Sequence, residues 1–125
     1  MARTNLTKVT ALGKWGDYSV PNAADMTMAA ADTGNKNMFL ATGNDLVVAH
    51  NTGGSAYTVT ITSVEDPVTG RTGDVTTYSV GAGEYAVFGP FSLYGWAQSD
   101  GYIYLEASNA SVKFGVVALP GTAGA

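Results

Sequence analysis

Residues 57–64 read Tyr57-Thr58-Val59-Thr60-Ile61-Thr62-Ser63-Val64. Tyr57, Val59 and Ile61 fall on one phase of a two-residue repeat, and Thr58, Thr60 and Thr62 fall on the other. A β-strand sends successive side chains to opposite faces, so this run predicts a half-buried strand with one apolar and one hydroxylated face. Upstream, residues 46–50 form a second β-rich run. The cluster Asn51-Thr52-Gly53-Gly54-Ser55 between the two carries turn residues and glycines able to take positive φ, so residues 46–64 read as a β-hairpin.

The same pattern extends in both directions. Short strands are expected at residues 8–12, 26–30, 38–40, 77–80, 84–88, 94–97, 102–107 and 113–119. Turn signals separate them: Gly43-Asn44-Asp45, Gly81-Ala82-Gly83, Gly89-Pro90, Ser99-Asp100-Gly101 and Ser108-Asn109-Ala110. About eight or nine strands beyond residue 21 at this spacing predict an all-β chain: a single-domain antiparallel β-sandwich or jelly-roll-like barrel. Residues 23–31, rich in alanine and methionine, form the only stretch with helical composition. Residues 1–21 read as an N-terminal arm, 22–120 as the sandwich domain and 121–125 as a small flexible tail. Trp15 and Tyr18 lie in the arm and suggest that it docks, on its own domain or on a neighbour. Removal of residues 2–21 is expected to leave the domain folded and to weaken assembly.

At 125 residues the chain is long enough for one real core. It contains no cysteine, which removes disulfides, thiol nucleophiles and thiolate metal sites and fits assembly in a reducing cytoplasm. The formal net charge is −4, and the six basic residues, Arg3, Lys8, Lys14, Lys36, Arg71 and Lys113, are scattered. A nucleic-acid surface needs them clustered, so no nucleic-acid partner is expected. No apolar run approaches the ~18 residues of a membrane helix, and the first residues lack the apolar stretch of a secretory signal, so no membrane association is expected.

Candidate chemistry is sparse. His50 is the single histidine; it ends a strand, and no G-x-S-x-G elbow accompanies it, so it reads as a surface residue. Glu65, Asp66 and Asp74 flank a long loop, but calcium-loop spacing is absent and the carboxylates read as solvated turn residues. Gly70-Arg71-Thr72-Gly73-Asp74 lacks the lysine and following helix of a phosphate loop, and Arg71 reads as a contact residue at the loop apex. No catalytic residue, metal ligand or cofactor is assigned, and no enzymatic activity is expected. The aromatic residues between Tyr78 and Tyr104 are the richest signal. Tyr102 and Tyr104 share the phase of Glu106, opposite Ile103 and Leu105. If the aliphatic phase is core, the tyrosines face solvent or a partner, where their amphipathic rings are favoured. With Trp96 they could also form a platform for stacking sugars.

The run Asp45-Leu-Val-Val-Ala-His-Asn-Thr, then Tyr57 to Val64, Gly70-Arg-Thr-Gly-Asp, Gly83-Glu-Tyr-Ala-Val-Phe-Gly-Pro-Phe and Trp96-Ala-Gln-Ser-Asp-Gly-Tyr-Ile-Tyr-Leu-Glu-Ala, resembles small structural proteins of tailed bacteriophages, in particular capsid decoration (cement) proteins. The resemblance covers residues 40–119 and is a pattern of strands and turns. It implies a sandwich or jelly-roll-like fold, no enzymatic activity and attachment to the major capsid protein on the outside of the virion. It further implies a homo-oligomer, commonly a trimer, made in the host bacterial cytoplasm. Trp15, Tyr18, Arg71, Trp96, Tyr102 and Tyr104 are the interface candidates. The alternative is a carbohydrate- or receptor-binding module of a head fibre or tail.

Overall fold

The computed structural model describes residues 3–11, 25–65, 68–70 and 73–119. Ten strands carry them: β1 (Thr4–Asn5), β2 (Lys8–Thr10), β3 (Ala29–Ala30), β4 (Asn37–Leu40), β5 (Asp45–Asn51), β6 (Tyr57–Thr62), β7 (Val75–Val80), β8 (Tyr85–Phe91), β9 (Tyr102–Ala107) and β10 (Val112–Ala118). One sheet runs β1-β4-β9-β6-β7; the other runs β2-β10-β5-β8, with β3 also on β10. The chain is an all-β sandwich. No helix occurs among the described residues, and the described part of the helix-prone stretch, residues 25–31, is non-helical chain that includes β3.

The alternation read from residues 57–62 sets the inner face. Val59 and Ile61 are fully buried, while Thr58, Thr60 and Thr62 lie half-buried on the outer side. Phe39, Ile103 and Leu105 join them from the same sheet. Val47, Ala49, Ala86, Phe88, Phe91, Val112, Phe114 and Val116 come from the other, forming one core between the layers. Burying side chains of this size stabilises by about 1.5–3 kcal/mol each before chain entropy is subtracted, so the interlayer contact dominates the fold.

The connectivity departs from the hairpin expected for residues 46–64. β5 belongs to one sheet and β6 to the other, so residues 52–56 cross the sandwich. Asn51 makes this crossing. Its fully buried amide donates to the Ser55 carbonyl at 2.7 Å and to the Val80 carbonyl of β7 at 2.9 Å, while its Oδ1 accepts the Gly53 N–H at 2.9 Å. Those bonds satisfy the loop backbone and tie the end of β5 to the opposite sheet, which a two-strand hairpin would not do. The Gly81-Ala82-Gly83 turn and the turn at residues 108–111 also pass between layers. Among the described residues, β6 and β7 are the only consecutive strands that pair with each other.

Other boundaries move for local reasons. Residues 94–97 form a turn rather than a strand: the Ala97 N–H donates to the Leu93 carbonyl at 3.0 Å. β8 continues through Gly89 and Pro90 to Phe91, across a cis Gly89-Pro90 bond. There the register against β5 slips, so that Val47 opposes Phe88 and Asp45 opposes Phe91, a β-bulge. Gly89 sits at φ +103, and a Cβ there would lie 2.7 Å from the Asp45 carbonyl oxygen, so only glycine fits.

The sheets are mixed rather than purely antiparallel. β1 runs parallel to β4 and β2 parallel to β10. Parallel neighbours need a long crossover, and the lengths of chain from β1 to β4 and from β2 to β10 are sufficient for one. The described part of the expected arm is thus woven into both layers. Leu6 between β1 and β2 is buried, and Lys8 reaches Asp45 at 3.2 Å. Deleting residues 2–21 would therefore strip two edge strands, β1 and β2. Trp15 and Tyr18 lie outside the described residues, as does Arg71.

The β6–β7 connection is pinned by Asp74. Its Oδ1 accepts the Ser63 hydroxyl at 2.6 Å and the Ser63 N–H at 2.7 Å, and the Gly73 N–H donates to the Ser63 oxygen at 2.8 Å. The Ser63 hydroxyl first, and its N–H second, hold the Asp74 carboxyl below its ordinary value of 3.8. Asp32 is held down likewise, by the Thr4 hydroxyl and then by the Asn35 N–H. A depressed folded-state pKa contributes stability above the unfolded value and loses it as pH falls through the folded one. The denaturation midpoint is thus expected to hold from about pH 7 to about pH 5 and to drop towards about pH 2. Asp74→Asn should start lower and flatten that acid limb. Urea titrations across this range check it, and a limb unchanged in the variant would remove Asp74 from the account.

Candidate interaction surfaces

The outer face of the β1-β4-β9-β6-β7 sheet carries Tyr102, Tyr104 and Glu106, because Ile103 and Leu105 occupy the core phase of β9. Pairing sets Tyr104 between Met38 and Thr62, and Tyr102 beside Leu40. Tyr104 is engaged within the molecule. The Arg3 guanidinium lies 4.2 Å above its ring, and its hydroxyl donates to Asp100 at 2.6 Å. Arg3 also donates to the carbonyls of Asn37 at 3.1 Å and Leu105 at 3.3 Å, which holds β1 in place. The bond to Asp100 pushes the Tyr104 phenol above its ordinary 10.0, and the same bond draws the Asp100 carboxyl below 3.8. Next along the face, Lys36 and Glu106 pair at 2.9 Å, both partly exposed. A pair of that kind contributes about 0–1 kcal/mol.

Trp96 does not share this face. It packs against the core, edge-to-face with Phe91 at 4.7 Å between ring centroids. Trp96, Tyr102 and Tyr104 therefore do not form one stacking platform. Tyr102 belongs instead to an apolar end of the sandwich. Leu40 at the end of β4 is paired with it, and the Leu40 side chain lies over Gly101. Leu93, on the β8–β9 connection, lies over Gly43 of the β4–β5 turn. The Ala41 N–H donates to the Gly101 carbonyl at 3.1 Å, which brings these loops together. Leu40, Leu93 and the adjacent Tyr94 are 53%, 51% and 67% exposed.

The outer face of the second sheet is apolar as well. Val48 sits between Val87 of β8 and Gly115 of β10, with Leu46 beside Val117 and His50 beside Tyr85. Gly115 leaves a slot: a Cβ there would lie 2.5 Å from the Met28 sulfur and 2.6 Å from that of Met26. Residues 26–28 thus cover the β10 side, while Tyr85 and Val87 remain 64% and 62% exposed on β8. His50 stacks flat on Tyr85, with centroids 3.8 Å apart and planes 5° from parallel.

Glu65 is exposed, Asp74 serves the β6–β7 connection and Asp66 lies outside the described residues. Among the described residues no group of three His, Cys, Asp or Glu side chains is placed to hold a metal ion. No helix there is long and apolar enough to cross a membrane. No protein family model, curated protein or solved structure matches the chain.

Proposed function

We propose that this chain is a structural binding protein of a tailed-bacteriophage particle, a decoration protein that attaches to the major capsid protein on the outside of the head. The observation that carries the reading is the apolar end formed by Leu40, Leu93, Tyr94 and Tyr102. Large apolar side chains gathered on an exposed surface mark an interaction site more often than ornament. They project from strand ends and a connection fixed by two well-packed layers, so little ordering entropy opposes binding. Each contact of this size is weak. Repetition over many identical capsid sites supplies the strength through avidity.

Co-sedimentation with heads assembled without this protein tests the proposal. Binding is expected to saturate at a fixed copy number per head. Leu93→Lys, at a half-exposed position, should leave the denaturation curve unchanged and weaken binding about tenfold or more, the loss expected for an apolar anchor. Absence of saturable binding, or wild-type binding by the lysine variant, would overturn it.

The exposed Tyr94 ring also favours a second reading, a sugar-stacking module of a head fibre or tail. Trp96 is close enough in sequence to report on it. Saturable fluorescence change on titration with oligosaccharides, with no binding to heads, would select that reading.

A further inference from the structure

The sheets end in edges of unequal quality. β1, β2 and β3 are only two or three residues long. β7 is kinked where Thr77 takes φ 49 and its register against β6 slips. Short length and bulges are the features that discourage strand addition. β8 has neither from Tyr85 to Phe88; its bulge and proline come only afterwards, at Gly89 and Pro90.

The hydrogen-bond pattern gives the direction of its backbone groups. The Asn51 N–H donates to the Glu84 carbonyl at 3.0 Å, and the Thr52 N–H donates to the Ser111 carbonyl at 2.9 Å. Bonding alternates along an antiparallel ladder. Ala49 and Val47 therefore bond to β8 through Ala86 and Phe88, while His50 and Val48 bond to β10. Tyr85 and Val87 are left with N–H and C=O groups turned away from the sheet, at residues whose side chains are also exposed.

We propose that the β8 edge pairs antiparallel with β8 of a second copy of this chain, with Ala86 on the two-fold axis. The sequence is complementary to itself in this register. Tyr85 of each copy opposes Val87 of the other, an aromatic–β-branched pair that stabilises antiparallel strands. Ala86 opposes Ala86, small enough for close approach, and Glu84 opposes Phe88, so like charges do not meet. The outward groups of Tyr85 and Val87 close the ladder, and the sheets of the two copies become one. Contact along so few residues falls short of the roughly 800 Å² per partner of a stable interface, so a dissociation constant of about 1–100 μM is expected.

Sedimentation equilibrium from micromolar to millimolar concentration tests this on the whole chain. The wild type is expected to follow a monomer–dimer isotherm. Val87→Lys places a charge at the junction. Val87→Pro removes one outward N–H at an edge position where proline is tolerated. Each should raise the dissociation constant about tenfold or more while matching the wild-type denaturation curve. Leu93→Lys should leave the dimer intact, which separates failure of this proposal from failure of the capsid reading. A wild type that stays monomeric to millimolar concentration overturns the proposal. So does a dimer or trimer that both Val87 variants leave unchanged.

Discussion

Asp45→Ala is expected to destabilise the protein by about 3–4 kcal/mol, because it leaves a largely buried charge without its counterion. Asp45 opens β5 with a carboxylate that is fully buried. Its Oδ2 accepts the Thr42 N–H at 2.8 Å; its Oδ1 accepts the Thr42 hydroxyl at 2.6 Å and the Lys8 ammonium at 3.2 Å. The Lys8 side chain is only 17% exposed and also donates to the Leu40 carbonyl. Alanine would strand the Thr42 N–H and the ammonium together. Asp45→Asn should cost less, since one oxygen remains for Thr42. Pairing the alanine variant with Lys8→Met should recover part of the loss, because the stranded cation is then gone. Urea denaturation of the four proteins in that cycle measures the coupling. A loss below about 1 kcal/mol in the single variant would mean that β2 is held by its backbone pairing alone.

Phe39→Ala is expected to cost about 3–5 kcal/mol, the lost transfer free energy of the ring plus the cavity left behind. Phe39 is fully buried in β4, opposite Ile103 of β9, and the Lys8 ammonium lies 5.7 Å from its ring centroid. β9 pairs with it through Ile103 and β1 pairs with the preceding Asn37 and Met38, which limits collapse into the void. Domains of this size have about 5–15 kcal/mol in total, so a large fraction of the folded margin would go. Phe39→Leu, closer in volume, should cost about 1–1.5 kcal/mol. An unchanged m-value with a lowered midpoint would identify the loss as native-state packing. Near-wild-type stability for the alanine variant would contradict the tight interlayer core.

What the sequence made legible follows from which phase of each strand is polar. In residues 57–62 and 102–107 one phase is distinct, and Val59, Ile61, Ile103 and Leu105 are in the core as read. Alternation reports the face a residue occupies and is silent about the strand beside it. Hence β5 and β6 looked like a hairpin although Asn51 sends the chain to the other layer. Where both phases are apolar, as in Leu46-Val47-Val48-Ala49 and Tyr85-Ala86-Val87-Phe88, the pattern could not separate core from surface. The exposed half of β8 went unread for that reason. Tyr102 follows the outer phase once Ile103 and Leu105 are core, but its neighbour Leu40 comes from a distant segment. Trp96 was grouped with it by proximity in sequence, while packing on Phe91 turns it inward. The Lys8–Asp45 contact joins residues that no local motif links.

The central strand of one sheet comes late in the chain. β10 lies between β5 on one side and β2 and β3 on the other, so β2 and β5 are not bridged until residues 112–118 have been synthesised. β2 must wait, without its partner, while β4 to β9 are made. The loop-closure entropy of that layer is therefore spent before any long-range pairing of β2 compensates. During that interval the apolar runs of β5 and β8 are open to other nascent chains, and yield in the producing cell should depend on chaperone supply more than the stability of the finished sandwich would suggest.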